Sequence, residues 1–373
     1  MNISQSLPRS MKAAAAREAN PDPRARRRPA FLILLAVILP TAGFLALMTG
    51  PMDLSFAKVA GILSNRIGIG SASEFSMAEE VVVWNLRLTR VLLALLVGAG
   101  LAMAGACMQG VFRNPLADPG IIGVSSGGAM GAIFMIVLGS RLMPEAAFEG
   151  FRLYAVPVAA MLGAVAITWL IYRLSISRGQ VDLVSMLLVG IAINSLGGAF
   201  IGLLTFMATD EELRTMTFWG LGSLGRANWE LLLPGLAFIL VPLFFLPRYA
   251  RSLNALLLGE KDAAHLGIDV RRTKRHLIVL SASIVGATVA LCGAIGFIAL
   301  VAPHIVRTAI GPDHRFLLPA SGMLGAGLLL TADIGARTIV APAELPIGIL
   351  TALIGTPVFL FLLLQRRRFQ SIS

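Results

Sequence analysis

The chain has 373 residues, 57% of them hydrophobic and 14% charged, with a mean hydropathy of +0.82 and a formal net charge of +11. That composition excludes an ordinary soluble domain, because too few polar side chains are available to cover its surface. The apolar runs are continuous rather than short and alternating, which excludes an outer-membrane barrel and predicts an all-α integral membrane protein.

Residues 1–30 are polar and end in Arg24, Arg26, Arg27 and Arg28, the pattern of a disordered basic cytoplasmic arm. The run from Phe31 to Met48 is uncharged over 18 residues, longer than a signal-peptide core, and no small-x-small cleavage pattern follows it. It is therefore expected to be an uncleaved first span. Residues 50–86 are polar. Further spans are expected at about 91–108, up to about 139, at 154–171, 184–207 and 231–246. The segment FRNPLADPG, Phe112 to Gly120, breaks the chain after the second of them with two prolines. The apolar stretch from Leu277 to Ile310 is too long for one helix and divides best at Gly293 and Gly296. Spans at about 317–334 and 347–364 bring the total to about ten, with both termini cytoplasmic. A single membrane domain over 31–365 and a basic tail over 366–373 follow from that count.

Charge placement agrees with this topology. Alternating the loops from a cytoplasmic N-terminus puts 22 of the 31 Lys and Arg residues inside, and 12 of the 20 Asp and Glu residues outside. The basic excess is accounted for by membrane orientation, which removes the reason to expect nucleic acid as a partner. Cys107 and Cys292 lie within apolar runs and read as buried thiols, and the four histidines show no ligand spacing. None of the four lysines follows a glycine, so the chain lacks a phosphate-binding P-loop.

The stretch from Arg248 to His276 holds ten of the 51 charged residues between two apolar spans. Ser252 is expected to cap a short helix presenting Leu253, Leu256 and Leu257, with Gly259 ending it. A second short helix, Glu260 to Leu266, should end at Gly267. Helices this short are marginal alone, so the hairpin at about 252–267 must pack against something. Ringed by Arg271, Arg272, Lys274 and Arg275, it has the character of a docking surface for a soluble partner.

Several motifs carry a family resemblance. They are RLTRVLLALLVGAGLAMAGACMQGVFRNPLADPGIIGVSSG (Arg87 to Gly127), FWGLGSL (Phe218 to Leu224), LGEKDAAHLGI (Leu258 to Ile268), GFIALVAPHIVR (Gly296 to Arg307) and DHRFLLP (Asp313 to Pro319). The last is LLLTADIGARTIVAPAELPIGILTALIGTPVF (Leu328 to Phe359). Over about 80–365, in order and in spacing, the chain resembles FecCD-type permease subunits of iron-siderophore, haem and cobalamin ABC importers. Ala208 to Gly225 and Ala336 to Gly348 are most similar to haem permeases.

The resemblance implies a type II ABC importer permease fold in a bacterial inner membrane, working as a homodimer. It also implies two cytoplasmic ATPase subunits that use ATP-Mg and a periplasmic substrate-binding protein. No cofactor or metal is expected on this chain, which is not itself an enzyme. Haem is the expected cargo, with ferric siderophore or cobalamin as alternatives; an ion-coupled secondary transporter is the reading from another class. Gly259, Glu260, Ala264, Leu266 and Gly267 match the segment that couples to the ATPase. Arg87, Arg90 and Arg337 match rim arginines that receive acidic knobs of the binding protein. The pathway is implied along the fifth span, through Asn194, Ser195, Gly198 and Met207. From the residues alone, Asn194 faces either a neighbouring helix or a wet pathway.

Overall fold

A computed structural model describes residues 24–69, 75–177 and 180–370. Most of the expected N-terminal arm lies outside the described residues. The elements in chain order are α1 (Arg28–Met48), α2 (Phe56–Arg66), α3 (Met77–Val111), α4 (Val124–Leu142), α5 (Glu145–Leu174) and α6 (Leu183–Met207). They continue with α7 (Asp210–Gly220), α8 (Trp229–Phe245), α9 (Ala250–Leu258), α10 (Glu260–His265), α11 (Val270–Cys292), α12 (Ile298–Ile310), α13 (His314–Thr338) and α14 (Ile347–Gln370). Among the described residues, strand structure is confined to a two-residue-per-arm hairpin, Ile176–Ser177 with Gln180–Val181, between α5 and α6. Eight helices among the described residues are long and apolar enough to cross a membrane, and two shorter apolar helices, at Ile298–Ile310 and Ile347–Phe361, fall where the other two of about ten crossings are expected. The protein is an all-α, multi-pass membrane protein. The inner end of the bundle is the one to which the positive-inside rule assigns the cytoplasm.

The bundle is built around α3, the most buried of the spans. Small residues set its packing distances. Gly98 of α3 and Gly325 of α13 lie so close that a Cβ on either would strike the other's backbone oxygen, and a Cβ on Gly105 would strike the carbonyl of Ala299 in α12. Cys107 is buried in α3 and Cys292 at the end of α11, both as free thiols.

The division expected near Gly293 is present, for a visible reason. Gly293 adopts φ +74°, and its amide closes on Val289 while the Cys292 carbonyl accepts from Ser223 at 2.8 Å. Five residues then run without helix to α12, whose 13 residues rise only about 20 Å. That is short of the roughly 30 Å hydrocarbon core, so the non-helical segment, in which Gly293 is buried while Ala294 and Gly296 are exposed, makes up part of the depth.

Three boundaries differ most from expectation, and one of them is the start of α5, at Glu145 rather than about 154. The second span begins at Met77 rather than about 91, with a capping box at Ser76 and Glu79 and a π-helical turn over Val82–Leu88. The final helix continues through the expected basic tail to Gln370. In the polar segments, α2 and α7 are helices lying outside the long spans, capped by Ser55 and Thr209.

Candidate coupling, docking and pathway sites

The hairpin between α8 and α11 forms as two short helices joined at Gly259. Gly259 has φ +137° and Gly267 φ +81°, conformations that an L side chain rarely adopts. Ser252 is not the expected cap: a 3-10 turn over Leu246–Tyr249 leads straight into α9, so the helix is already under way at Ser252. The expected shared face of Leu253, Leu256 and Leu257 divides: Leu253 and Leu256 are buried, whereas Leu257 is on the outside with Leu258 and Leu266. Ala255, Leu256 and Ala263 make a small core of their own, backed by Ile268 and Val270. Ala264 and Gly267 lie on the exposed surface beside Leu266.

Two polar anchors hold the hairpin to the bundle. Asn254 donates to Asp313 Oδ1 at 2.7 Å and accepts from the His314 amide at 2.9 Å, tying α9 to the start of α13. Glu260 pairs with Lys274 Nζ at 2.6 Å, tying α10 to α11. The Lys274 side chain is only 5% exposed, so sequence reasoning that placed it in a solvated basic ring missed its position. The hairpin is therefore fixed at its base and presents three leucines outward.

At the outer end, Arg87, Arg90 and Arg337 come together, but not as exposed rim charges. All three are buried. Arg87 donates to the carbonyls of Leu47, Met48 and Met52, and Arg337 to those of Ala46 and Thr49. Together they satisfy the carbonyls that the C-terminus of α1 leaves without helical partners, where positive charge also complements the helix dipole. Arg90 donates to Asp333 Oδ1 at 2.8 Å and to Glu344 Oε2 at 2.8 Å. Asp333 is fully buried, and its other oxygen lies 3.1 Å from Arg337 Nε without hydrogen-bond geometry. Glu344 is the exposed member, with 46% of its side chain accessible. Arg337 also lines an open recess of about 780 Å³ with Asp53 and Thr49.

Along α6 the four expected pathway residues separate. Asn194 accepts a 2.5 Å hydrogen bond from Ser126 of α4, so its side chain is spent on a neighbouring helix. Ser195 returns its hydroxyl to the Ile191 carbonyl and lies on an exposed stripe with Val184, Leu188, Ile191, Gly198 and Phe206. A Cβ on Gly198 or Gly202 would meet nothing within 4 Å. Met207 is half-exposed at the end of the same helix. Ser126 was missed by sequence reasoning, and so was Gln109, which accepts from Arg307 at 2.7 Å and joins α3 to α12.

Comparison with known proteins places this architecture. The model of the FecCD transport family matches residues 35–365. The chain belongs to the FecCD transport family. Among its relatives, the hemin transport system permease protein HmuU of Yersinia pestis is 49% identical over 341 residues, covering 91% of this chain and 96% of the relative. The cobalamin import system permease protein BtuC of Halobacterium salinarum is 40% identical over 302 residues, covering 80% of this chain and 78% of that one. A solved structure described as an inward-facing, metal-chelate type ABC transporter superposes with a TM-score of 0.77 at 34% identity, covering 90% of this chain and 99% of that one. The FecCD match spans both the hairpin and the outer arginine cluster.

Proposed function

We propose that this chain is the membrane-spanning subunit of an ATP-driven importer that moves haem into the cytoplasm across a bacterial inner membrane. Two copies would work with two cytoplasmic ATPase subunits and a periplasmic binding protein. The observation that carries the reading is the inner hairpin: two short helices, rigidly anchored through Asn254 and Lys274, that expose Leu257, Leu258 and Leu266 where no span needs them. An exposed apolar patch on a fixed, basic-rimmed mount suits a soluble partner that must push on the bundle. Gly259, Glu260, Ala264, Leu266 and Gly267 are assigned to that contact.

Haem as cargo is supported by the 49% identity to the hemin permease, which exceeds the 40% to the cobalamin permease. Cobalamin and ferric siderophore remain the second reading, favoured by the metal-chelate type neighbour. The open α6 stripe, through Ser195 and Gly198, is assigned to the axis between two copies; Asn194, bonded to α4, is assigned to holding α6 in place. At the outer end an acidic knob of the binding protein would reach Arg90 only by displacing Glu344, and Arg337 through its recess. Arg87, turned wholly onto backbone carbonyls, is assigned to holding α1. Binding of cognate partners and cargo-dependent uptake in reconstituted vesicles test the whole assignment.

A further inference from the structure

Between α5, α8 and α11 a groove of about 260 Å³ is lined almost wholly by apolar atoms, among them Val158, Met161, Leu162 and Phe238. Toward the outer end it runs into a second, polar recess of about 740 Å³, the two sharing Pro157, Leu231, Ala290 and Leu291. That recess is lined by Arg152 of α5, Arg226 of the α7–α8 connection, Glu149 and Asn228. Neither arginine has a hydrogen-bond or ion-pair partner among the described residues. Arg226 is exposed as a residue, yet partial shielding of its guanidinium from water lowers its pKa from the ordinary arginine value.

The dimensions decide what fits. From Arg152 to Leu162 along α5 is ten residues, a rise of about 15 Å, or half a hydrocarbon core of roughly 30 Å. The cleft therefore joins a cationic mouth at headgroup level to an apolar floor one leaflet deep. We propose that it holds one glycerophospholipid of the outer leaflet, with its phosphodiester on Arg152 and Arg226 and an acyl chain lying in the groove as far as Leu162 and Phe238. Two guanidiniums against the single Glu149 carboxylate leave the mouth with a net positive charge suited to one phosphate, and arginine recognises phosphate through paired donors. The exposed aliphatic side chains flanking the groove, Leu162, Val165 and Leu233, mark this face as lipid-bathed. It is separate from the α6 stripe.

The test is native mass spectrometry of the full chain in detergent, offered phosphatidylglycerol, phosphatidylethanolamine or dioleoylglycerol. One phospholipid per chain should be retained with either headgroup, and no diacylglycerol. Arg152→Gln with Arg226→Gln should cut retention about tenfold, Arg152→Lys with Arg226→Lys should largely restore it, and Val158→Trp should block it from the groove side. Gel-filtration profiles matching the parent's qualify each variant as folded. Equal retention of diacylglycerol, undiminished retention by both the Gln and Trp variants, displacement of the lipid by haem, or disulfide formation between two copies of Val158→Cys would each overturn the proposal.

Discussion

Lys274 Nζ lies 2.6 Å from Glu260 Oε1, and this pair joins the hairpin of α9 and α10 to the membrane span α11. The two ends are unequal: Lys274 is 5% exposed and Glu260 35%. Removing the carboxylate leaves a nearly buried ammonium without its partner, whereas removing both charges does not. Glu260→Gln should therefore reduce uptake about tenfold while partner ATPase activity persists, and Glu260→Arg should do so more severely by placing a second cation beside Lys274. The charge-exchanged pair, Glu260→Lys with Lys274→Glu, should recover part of the loss. Comparing transport per ATP hydrolysed across these variants checks the claim; full coupling in Glu260→Arg would remove the role.

Asp333 is the shared anion between Arg90 and Arg337 in the buried outer cluster. Asp333→Asn keeps its shape but leaves two buried guanidiniums without a full counter-charge, a loss of about 3–5 kcal/mol by analogy with broken buried pairs. Thermal unfolding in detergent should show a clear fall in Tm. An unchanged transition would mean the cluster is open to water rather than closed.

Glu344 should behave oppositely. Its side chain is half exposed and Arg90 keeps Asp333 when it is removed, so it contributes little to stability. Glu344→Gln frees Arg90 and should strengthen binding of the periplasmic protein several-fold, with steeper weakening by salt. Titrations at two ionic strengths decide the matter, and weaker binding by the variant would assign Glu344 to the docking surface itself.

Replacing Asn194 by Leu together with Ser126→Ala removes both ends of one hydrogen bond, so uptake should stay within about twofold because neither partner is left unsatisfied. Gly198→Trp, on the open stripe of the same helix, should abolish it. Uptake lost in the first and kept in the second would reverse the assignment of the two faces of α6.

The sequence made the order of spans readable because apolar length is a property of each segment alone. Gly293 marked the break between α11 and α12 for the same local reason. The first turns of α3 were not readable: Glu79, Glu80, Asn85 and Arg87 give them a polar composition, and only the packed structure turns Arg87 onto the end of α1. Burial of the arginines was equally hidden, since Arg90 meets its carboxylate 243 residues away. An arginine without a nearby acid reads as a surface charge. Lys274 shows the same limit on a smaller scale, because its neighbours Arg271, Arg272 and Arg275 are surface charges and nothing local sets it apart. Conversely, Gly259 and Gly267 were recognised as turn points because their backbone conformations require glycine whatever surrounds them.

Haem import is tested most directly by ATP hydrolysis and cargo accumulation in proteoliposomes containing this chain and its cognate ATPase, with binding protein added empty, haem-loaded or ferric-siderophore-loaded. The haem-loaded form should stimulate hydrolysis, and haem should appear inside only with ATP. Stimulation by the siderophore-loaded form alone would replace the cargo while keeping the transporter, and haem uptake that follows an ion gradient without ATP would mean that the chain is not the subunit of an ATP-driven importer.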